Sequence, residues 1–139
     1  MIPESPLAKK MKIRPGRRVA VVNASAGHLE QLGPLPSGVE IKEALQGTFD
    51  WAQVFAQNRK ELETVLPRAV RALKPEGLLW LSFPKGTSNI QTDLTWDKGW
   101  DSLRNHDLKW ANLISVDATW SAFALRPYWL GESRQPSWV

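Results

Sequence analysis

The sequence predicts an α/β fold with a mainly parallel β-sheet, flanking helices and an antiparallel hairpin at its end. Residues 19–22 and 78–83 are continuous apolar runs, the pattern of strands buried on both faces of a parallel sheet. Residues 49–55 predict a further strand, and a capped amphipathic segment separates it from 78–83. Such a strand, helix, strand unit has a right-handed crossover within one parallel sheet. We expect 19–22 and 78–83 to lie side by side and to point the same way.

The amino-terminal third contains short elements separated by turns. Ser5 followed by Pro6 is typical of a helix start, and the small residues 23–27 are typical of a bend that ends a strand. In chain order the expected elements are a helix at 7–11, a strand at 19–22, a turn or two of helix at 28–32 and a strand at 38–41.

The segment 58–73 has the clearest helical pattern of the chain. Asn58 and Glu61 form a capping box, and apolar residues follow at helical spacing. Pro67 lies inside this segment and predicts a kink or a break into two shorter helices. Beyond it we expect a turn at 74–77, a strand at 78–83, a loop at 85–92, a helix at 93–105, hairpin strands at 108–116 and 119–125, and an extended tail.

Composition bounds the class of protein. A chain of 139 residues that is 42% apolar and 23% charged predicts one globular domain. There is no apolar run near the roughly 18 residues of a membrane span, and 1–12 lacks the apolar core of a secretory signal. We therefore expect a soluble, cytoplasmic protein. The absence of cysteine excludes disulfides, thiolate nucleophiles and cysteine-based metal sites. The net charge of +4 favours anionic partners weakly, and eight tryptophans predict core and interface packing.

Residues 73–84, Leu-Lys-Pro-Glu-Gly-Leu-Leu-Trp-Leu-Ser-Phe-Pro, resemble a region of class I S-adenosylmethionine-dependent methyltransferases in which a Leu-Lys-Pro-Gly-Gly turn leads into an apolar strand. The order of elements over 17–125 is also similar to that family. The resemblance implies a Rossmann-like, methyltransferase-like sheet that ends in an antiparallel hairpin. The whole chain resembles a family of short bacterial proteins of unknown function with a methyltransferase-like fold, which implies a fold but no activity.

The turn after the first strand departs from the methyltransferase pattern. The family has an acidic residue and three alternating glycines there, because glycine lets the backbone approach the methionine part of the cofactor. In this chain Gly27 is the one glycine of the three, and Asn23 replaces the acid. The ribose-binding acid that the resemblance implies would be Glu40 or Glu43. These departures favour a domain without a cofactor, with S-adenosylmethionine as the alternative.

Ligand binding is expected at the carboxyl ends of the strands, where the loops after 19–22 and 78–83 converge. A lysine with neighbouring hydroxyls there is suited to holding an anion. The stretch 85–88 superficially resembles a phosphate loop, yet it lacks the glycine five residues before the lysine. The candidate ligand-binding residues are Asn23, Ser25, Gly27, His28, Lys85, Thr87 and Ser88.

Catalytic residues are not identified by any motif. His28 near Ser25, oriented by Asp117, would make a nucleophile and base arrangement, although no spacing rule supports it. His106 follows a predicted helix end, where a cation is favourable for structural reasons alone. Two distant histidines without a paired carboxylate motif predict no metal site.

Three further features have a structural and a functional interpretation. The face formed by Asp93, Trp96, Asp97 and Trp100 either packs its tryptophans on the sheet or forms a rim that stacks a planar ligand. Trp129 and Trp138 suggest docking of the tail on its own domain or on a second copy. A basic cluster either forms a solvated face or meets phosphates. It consists of Lys9, Lys10, Lys12, Arg14, Arg17 and Arg18.

Three hypotheses follow. The first is a non-catalytic methyltransferase-like domain that binds a small anionic or planar ligand, or a protein partner such as a second copy of the chain. The second is an S-adenosylmethionine-dependent methyltransferase with a degenerate cofactor loop. The third is weak nucleic-acid binding through the basic segment and exposed tryptophans.

Overall fold

The computed structural model describes residues 5–95, 98–106 and 108–128. The helices are α1 (Pro6–Lys10), α2 (His28–Leu32) and α3 (Arg59–Ala72), with a 3₁₀ helix at Asp101–Asn105. The strands are β1 (Arg18–Val22), β2 (Glu40–Lys42), β3 (Phe49–Phe55), β4 (Leu73–Pro84), β5 (Leu108–Ser115) and β6 (Trp120–Pro127). No helix within these residues has the length and apolar character to cross a membrane.

The six strands form one sheet in the order β2–β1–β3–β4–β6–β5. β1 pairs in parallel with β2 and β3, and β3 pairs in parallel with β4. β6 runs antiparallel to both β4 and β5. The predicted fold class, a mainly parallel sheet that ends in an antiparallel hairpin, is confirmed. The expectation that β1 and β4 are direct neighbours is wrong, because β3 lies between them and pairs with both.

Helix α3 begins at its predicted cap. The Asn58 side chain accepts a hydrogen bond from the backbone N–H of Glu61 at 2.9 Å, and the Glu61 carboxylate accepts one from the backbone N–H of Gln57 at 3.2 Å. The break into two shorter helices that Pro67 predicts does not occur, since α3 continues through it as one helix. Proline has no backbone N–H, so the carbonyl of Glu63, four residues earlier, lacks its helical hydrogen bond. Both residues are exposed, and this carbonyl can accept a hydrogen bond from water instead.

The sheet has a buried core on each face. On one face the apolar side of α3, with Leu62, Leu66 and Ala69, packs against side chains of β3 and β4. On the other face α1 and α2 cover the sheet. The carbonyl of Met11, just after α1, accepts hydrogen bonds from the indole N–H groups of Trp51 (2.8 Å) and Trp80 (3.0 Å). One main-chain oxygen therefore joins the amino-terminal segment to two central strands.

The expected helix over 93–105 is wrong in its first half. Thr95 and Lys98 form an isolated antiparallel bridge, and Gly99 has a φ of +97°, which a right-handed helix excludes. The Asp93 carboxylate accepts a hydrogen bond from the backbone N–H of Arg59 at 2.8 Å and so caps α3. The turn expected at 74–77 is instead an irregularity inside β4. Between the pairs Phe49–Leu73 and Trp51–Leu78, β4 advances by five residues while β3 advances by two.

Candidate functional site

The candidate site lies at the carboxyl edge of the parallel strands. Because β1, β2, β3 and β4 run in the same direction, the segments that follow them leave the sheet at this edge. The candidates Asn23, Ser25, Gly27 and His28 follow β1, and Lys85, Thr87 and Ser88 follow β4. Two strand positions separate these groups, since β3 lies between β1 and β4.

The loop after β1 contains two left-handed residues. Asn23 has a φ of 60° and is exposed, and Gly27 has a φ of +79° and ends the loop as the N-cap of α2. A Cβ atom built on Gly27 would meet no atom within 4 Å. Gly27 is therefore required for its backbone conformation, and the space above it is open.

His28 points into the core rather than toward the open edge. Its side chain is 1% exposed, and its Nε2 lies 2.7 Å from Oε1 of Gln53. The amide of Gln53 in turn donates to Oγ of Ser82 at 2.8 Å. Because Oε1 can only accept, Nε2 of His28 is the protonated nitrogen. These three side chains form a buried polar chain across α2, β3 and β4, which we call the His28–Gln53–Ser82 chain.

The imidazole of His28 is held in its neutral form. Burial lowers the pKa of His28 below its ordinary value, and the hydrogen bond to Gln53 and the charge of Asp117 only partly oppose this effect. Its Nδ1 has no hydrogen-bond partner among the described residues. The ring also packs edge-on against Phe55, with centroids 4.7 Å apart.

The nucleophile and base arrangement of Ser25, His28 and Asp117 is not formed. The Asp117 carboxylate accepts hydrogen bonds from the backbone N–H groups of Thr119 and Trp120, both at 2.8 Å. It therefore closes the turn between β5 and β6. Nε2 of His28 is bonded to Gln53, and Nδ1 has no hydrogen-bond partner among the described residues, so Ser25 makes no hydrogen bond to the ring.

The loop after β4 is tied to the hairpin. The ammonium of Lys85 donates to Oγ of Ser115 at 2.6 Å, and its backbone N–H donates to the carbonyl of Thr119 at 2.7 Å. The hydroxyl of Ser88 donates to the carbonyl of Lys85 at 2.7 Å and so closes the loop on itself. No helix follows within 85–95, so the stretch 85–88 is not a phosphate loop.

A cavity of about 530 Å³ opens beside this loop, and we call it the carboxyl-edge cavity. The described residues that line it include two lysines, three hydroxyl side chains and no carboxylate. The lining residues are Phe83, Lys85, Gly86, Thr87, Thr95, Lys98 and Ser121. The cavity brings together the candidates Lys85 and Thr87. The other five candidates, Asn23, Ser25, Gly27, His28 and Ser88, do not line it.

The two carboxylates implied for ribose binding lie at different edges. Glu40 pairs with Arg18 at the start of β1, and its carboxylate lies 3.6 Å from the Arg18 guanidinium and 3.4 Å from the Lys42 ammonium. Glu43 directly follows β2 at the carboxyl edge and is exposed. Of the two residues, Glu43 alone lies at the carboxyl edge.

Of the remaining sequence candidates, some are buried in the core and others lie outside the described residues. Trp100 is 5% exposed and packs against Phe83 and Phe123, so it belongs to the core and not to a stacking rim. Trp51, Trp80 and Trp120 are also buried, as the packing interpretation expects. The described residues do not include the remaining candidates, which are Trp96, Asp97, Trp129 and Trp138.

Sequence reasoning missed Gln53 and Ser82. Each has apolar residues on both sides in its strand and is fully or almost fully buried. That pattern is itself the signal, because a buried polar side chain requires a hydrogen-bonding partner.

No protein-family model matches the chain, and no curated protein matches it in sequence. Solved structures do match. The chain is similar to the ribosomal protein L11 methylase from Lactobacillus delbrueckii subsp. bulgaricus, with a TM-score of 0.57 and 13% identity over 88% of this chain and 76% of the other. It is similar to magnesium protoporphyrin IX methyltransferase from Synechocystis PCC 6803 with bound SAH, with a TM-score of 0.54 and 12% identity over 86% and 78%.

A third match is an O-methyltransferase family 2 protein from Planctomyces limnophilus DSM 3776, with a TM-score of 0.59 and 11% identity over 88% of this chain. The chain spans 56% of that protein's length. These neighbours are class I S-adenosylmethionine-dependent methyltransferases. The fold is therefore methyltransferase-like, as the resemblance at 73–84 implies, and at these identities the likeness concerns the fold alone.

Proposed function

We propose that this chain is a single methyltransferase-like domain that binds a small anion in the carboxyl-edge cavity and does not catalyse methyl transfer. The observation that carries the proposal is the lining of this cavity. Lys85 and Lys98 contribute two positive charges, and no described lining residue is acidic. The hydroxyl groups of Thr87 and Ser121 offer hydrogen bonds to the anion.

The described lining of the cavity contains no carboxylate and no histidine, which supports a binding role. The one histidine that follows a parallel strand at this edge, His28, is buried and neutral, and it is bonded to Gln53. The ammonium of Lys85 is held by Ser115. Neither group is placed as a general base for a substrate in the cavity.

Benzoate and benzamide provide a direct test, because they share a planar ring and differ in charge. In NMR titrations of the full chain we expect benzoate to shift the amide signals of 85–87 and Lys98, and benzamide to shift them weakly. Lys98→Gln should weaken benzoate binding about fivefold, whereas Lys60→Gln on the exposed side of α3 should not. Equal binding of both compounds, or shifts confined to other residues, would refute the proposal.

A second candidate is a methyltransferase that holds S-adenosylmethionine at the loop after β1, and the backbone there favours it. Gly27 is left-handed with open space above it, and Glu43 follows the neighbouring strand. Gly27 and Glu43 thus fit the methionine part and the ribose of the cofactor. The cofactor would supply the methyl group, and these residues would hold it.

Calorimetric titration with S-adenosylmethionine separates the two candidates. Micromolar binding that is lost in Glu43→Gln would favour the methyltransferase. An absence of heat at millimolar cofactor, in a sample that still binds benzoate, would leave the binding domain as the function.

A further inference from the structure

A second cavity, of about 260 Å³, opens at the opposite edge of the sheet, where β1, β3 and β4 begin, and we call it the amino-edge cavity. Its charged lining residues are mostly basic and come from distant parts of the chain. They are Lys12, Arg14, Arg17, Asp50, Glu76 and Arg126. Four cations and two carboxylates leave a net charge of +2 around the cavity.

The negative charge of Asp50 is already compensated within the protein. Its carboxylate accepts the backbone N–H of Arg18 at 2.8 Å and lies 3.2 Å from the Lys74 ammonium. The Arg17 guanidinium lies 3.5 Å from it. Partial burial tends to raise the pKa of Asp50, but these hydrogen bonds and charges outweigh it and hold the pKa below its ordinary value. Asp50 therefore stays ionised and orders Arg17 at the cavity.

The positive charges of Lys12 and Arg14 are not compensated by any described residue. Within the parts of the chain that the structure describes, neither side chain has a hydrogen-bond or ion-pair partner, and both residues are exposed. Apart from Asp50, Glu76 is the one carboxylate among the described lining residues, and it is exposed.

The backbone of Lys12 is in a conformation that favours glycine. Lys12 follows the C-cap of α1 with a φ of 62°, its N–H donates to the carbonyl of Lys9, and the N–H of Ile13 donates to that of Ala8, both at 3.0 Å. This is the Schellman pattern, whose left-handed position is usually occupied by glycine. A lysine there is strained, and strain of this kind is concentrated at functional sites.

We propose that the amino-edge cavity binds the phosphate group of a small phosphate monoester. A phosphate dianion matches the net charge of +2, and Arg14 and Arg17 offer forked donors that suit its oxygens. The volume accommodates the phosphate with a small substituent. This site lies at the other edge of the sheet from the carboxyl-edge cavity, and its occupancy does not depend on the function proposed there.

The distribution of the basic cluster favours a small anion over a nucleic acid. The Lys10 ammonium donates to the carbonyl of Ser115 at 2.9 Å. The Arg18 guanidinium donates to the carbonyls of Thr48 and Gln46 and lies 4.4 Å from the ring centre of Phe49. These two cations are held by the protein and do not line the cavity, so the six basic residues do not form one continuous surface for a phosphate backbone.

Calorimetry of the full chain with inorganic phosphate, against chloride at equal ionic strength, tests the proposal. We expect Lys12→Gly and Arg14→Gln each to weaken phosphate binding about tenfold. Lys9→Gln is the matched control, because it removes one charge from the adjoining helix α1 without touching the cavity, and it should retain the affinity within about twofold. Lys12→Gly should also raise the melting temperature, which shows that lost binding is not lost folding.

Three results would overturn the proposal. The first is an absence of phosphate binding at millimolar concentrations. The second is an equal loss of affinity in Lys9→Gln and Lys12→Gly, which would show diffuse attraction by net charge. The third is a single-stranded oligonucleotide that displaces phosphate and binds with a steep salt dependence, which would identify a nucleic-acid surface instead.

Discussion

The His28–Gln53–Ser82 chain gives a quantitative test of the core. In Gln53→Leu the Nε2 of His28 and the Oγ of Ser82 lose their partner at positions that are each 1% exposed. An unsatisfied buried group costs about 1–3 kcal/mol, and the burial of leucine offsets about 1–2 kcal/mol of the sum. We expect the free energy of unfolding to fall by about 1–4 kcal/mol.

A double-mutant cycle isolates the interaction from the substitution itself. Ser82→Ala alone leaves the Gln53 amide without its acceptor and should cost about 1–3 kcal/mol. In the Gln53→Leu background the same change removes an orphaned hydroxyl, so its cost should be near zero or reversed. The resulting coupling energy should be at least about 1 kcal/mol.

Urea unfolding followed by tryptophan fluorescence measures all four proteins, since Trp51, Trp80 and Trp120 are buried on the same face as this chain. Gln57→Leu is the control, because Gln57 is exposed and the same chemical change there should alter stability by less than about 0.5 kcal/mol. Additive single-mutant effects, within about 0.5 kcal/mol, would refute the reasoning.

Three other predictions concern stability. The pKa of His28 is lowered in the folded state. Just below pH ~6.5 the unfolded chain therefore binds more protons than the folded chain does. Stability should therefore fall on acidification through this range, by at most about 1.4 kcal/mol per pH unit, and His28→Gln should remove that slope in urea titrations across pH. Pro67→Ala should stabilise α3 by about 1–3 kcal/mol in urea unfolding, and an unchanged midpoint would contradict the assumed cost of proline. Gly77→Ala should destabilise by about 1–3 kcal/mol, since its Cβ would lie 2.7 Å from Cδ1 of Leu73 and 2.9 Å from the carbonyl of Lys74; wild-type stability in a thermal melt would show that β4 adjusts freely.

Local signals predicted the elements that local interactions determine. Ser5 caps α1, Asn58 caps α3, and β3 spans the expected residues, because each of these patterns depends on neighbours in the chain. The order of the strands depends on distant pairing, so the insertion of β3 between β1 and β4 was not predicted from either apolar run alone.

The helix expected at 93–105 shows how a periodic pattern can mislead. Trp100 and Leu103 are buried as a helical stripe requires, but Gly99 adopts a left-handed φ that breaks the helix. Asp93 serves α3 instead of its own segment. At the site, Lys85 and Thr87 belong to one loop and line one cavity, whereas the inward orientation of His28 depends on Gln53 from another strand.

The Met11 carbonyl accepts two hydrogen bonds, and this has a consequence for the nascent protein. Its indole donors are 40 and 69 residues further along the chain, so at about 5–20 residues per second the second donor is made about 3–14 s after Met11. During that interval the apolar side of the first helix, with Leu7 and Ala8, has no completed sheet to cover. The amino-terminal helix therefore reaches its final packing only after the fourth strand has been made.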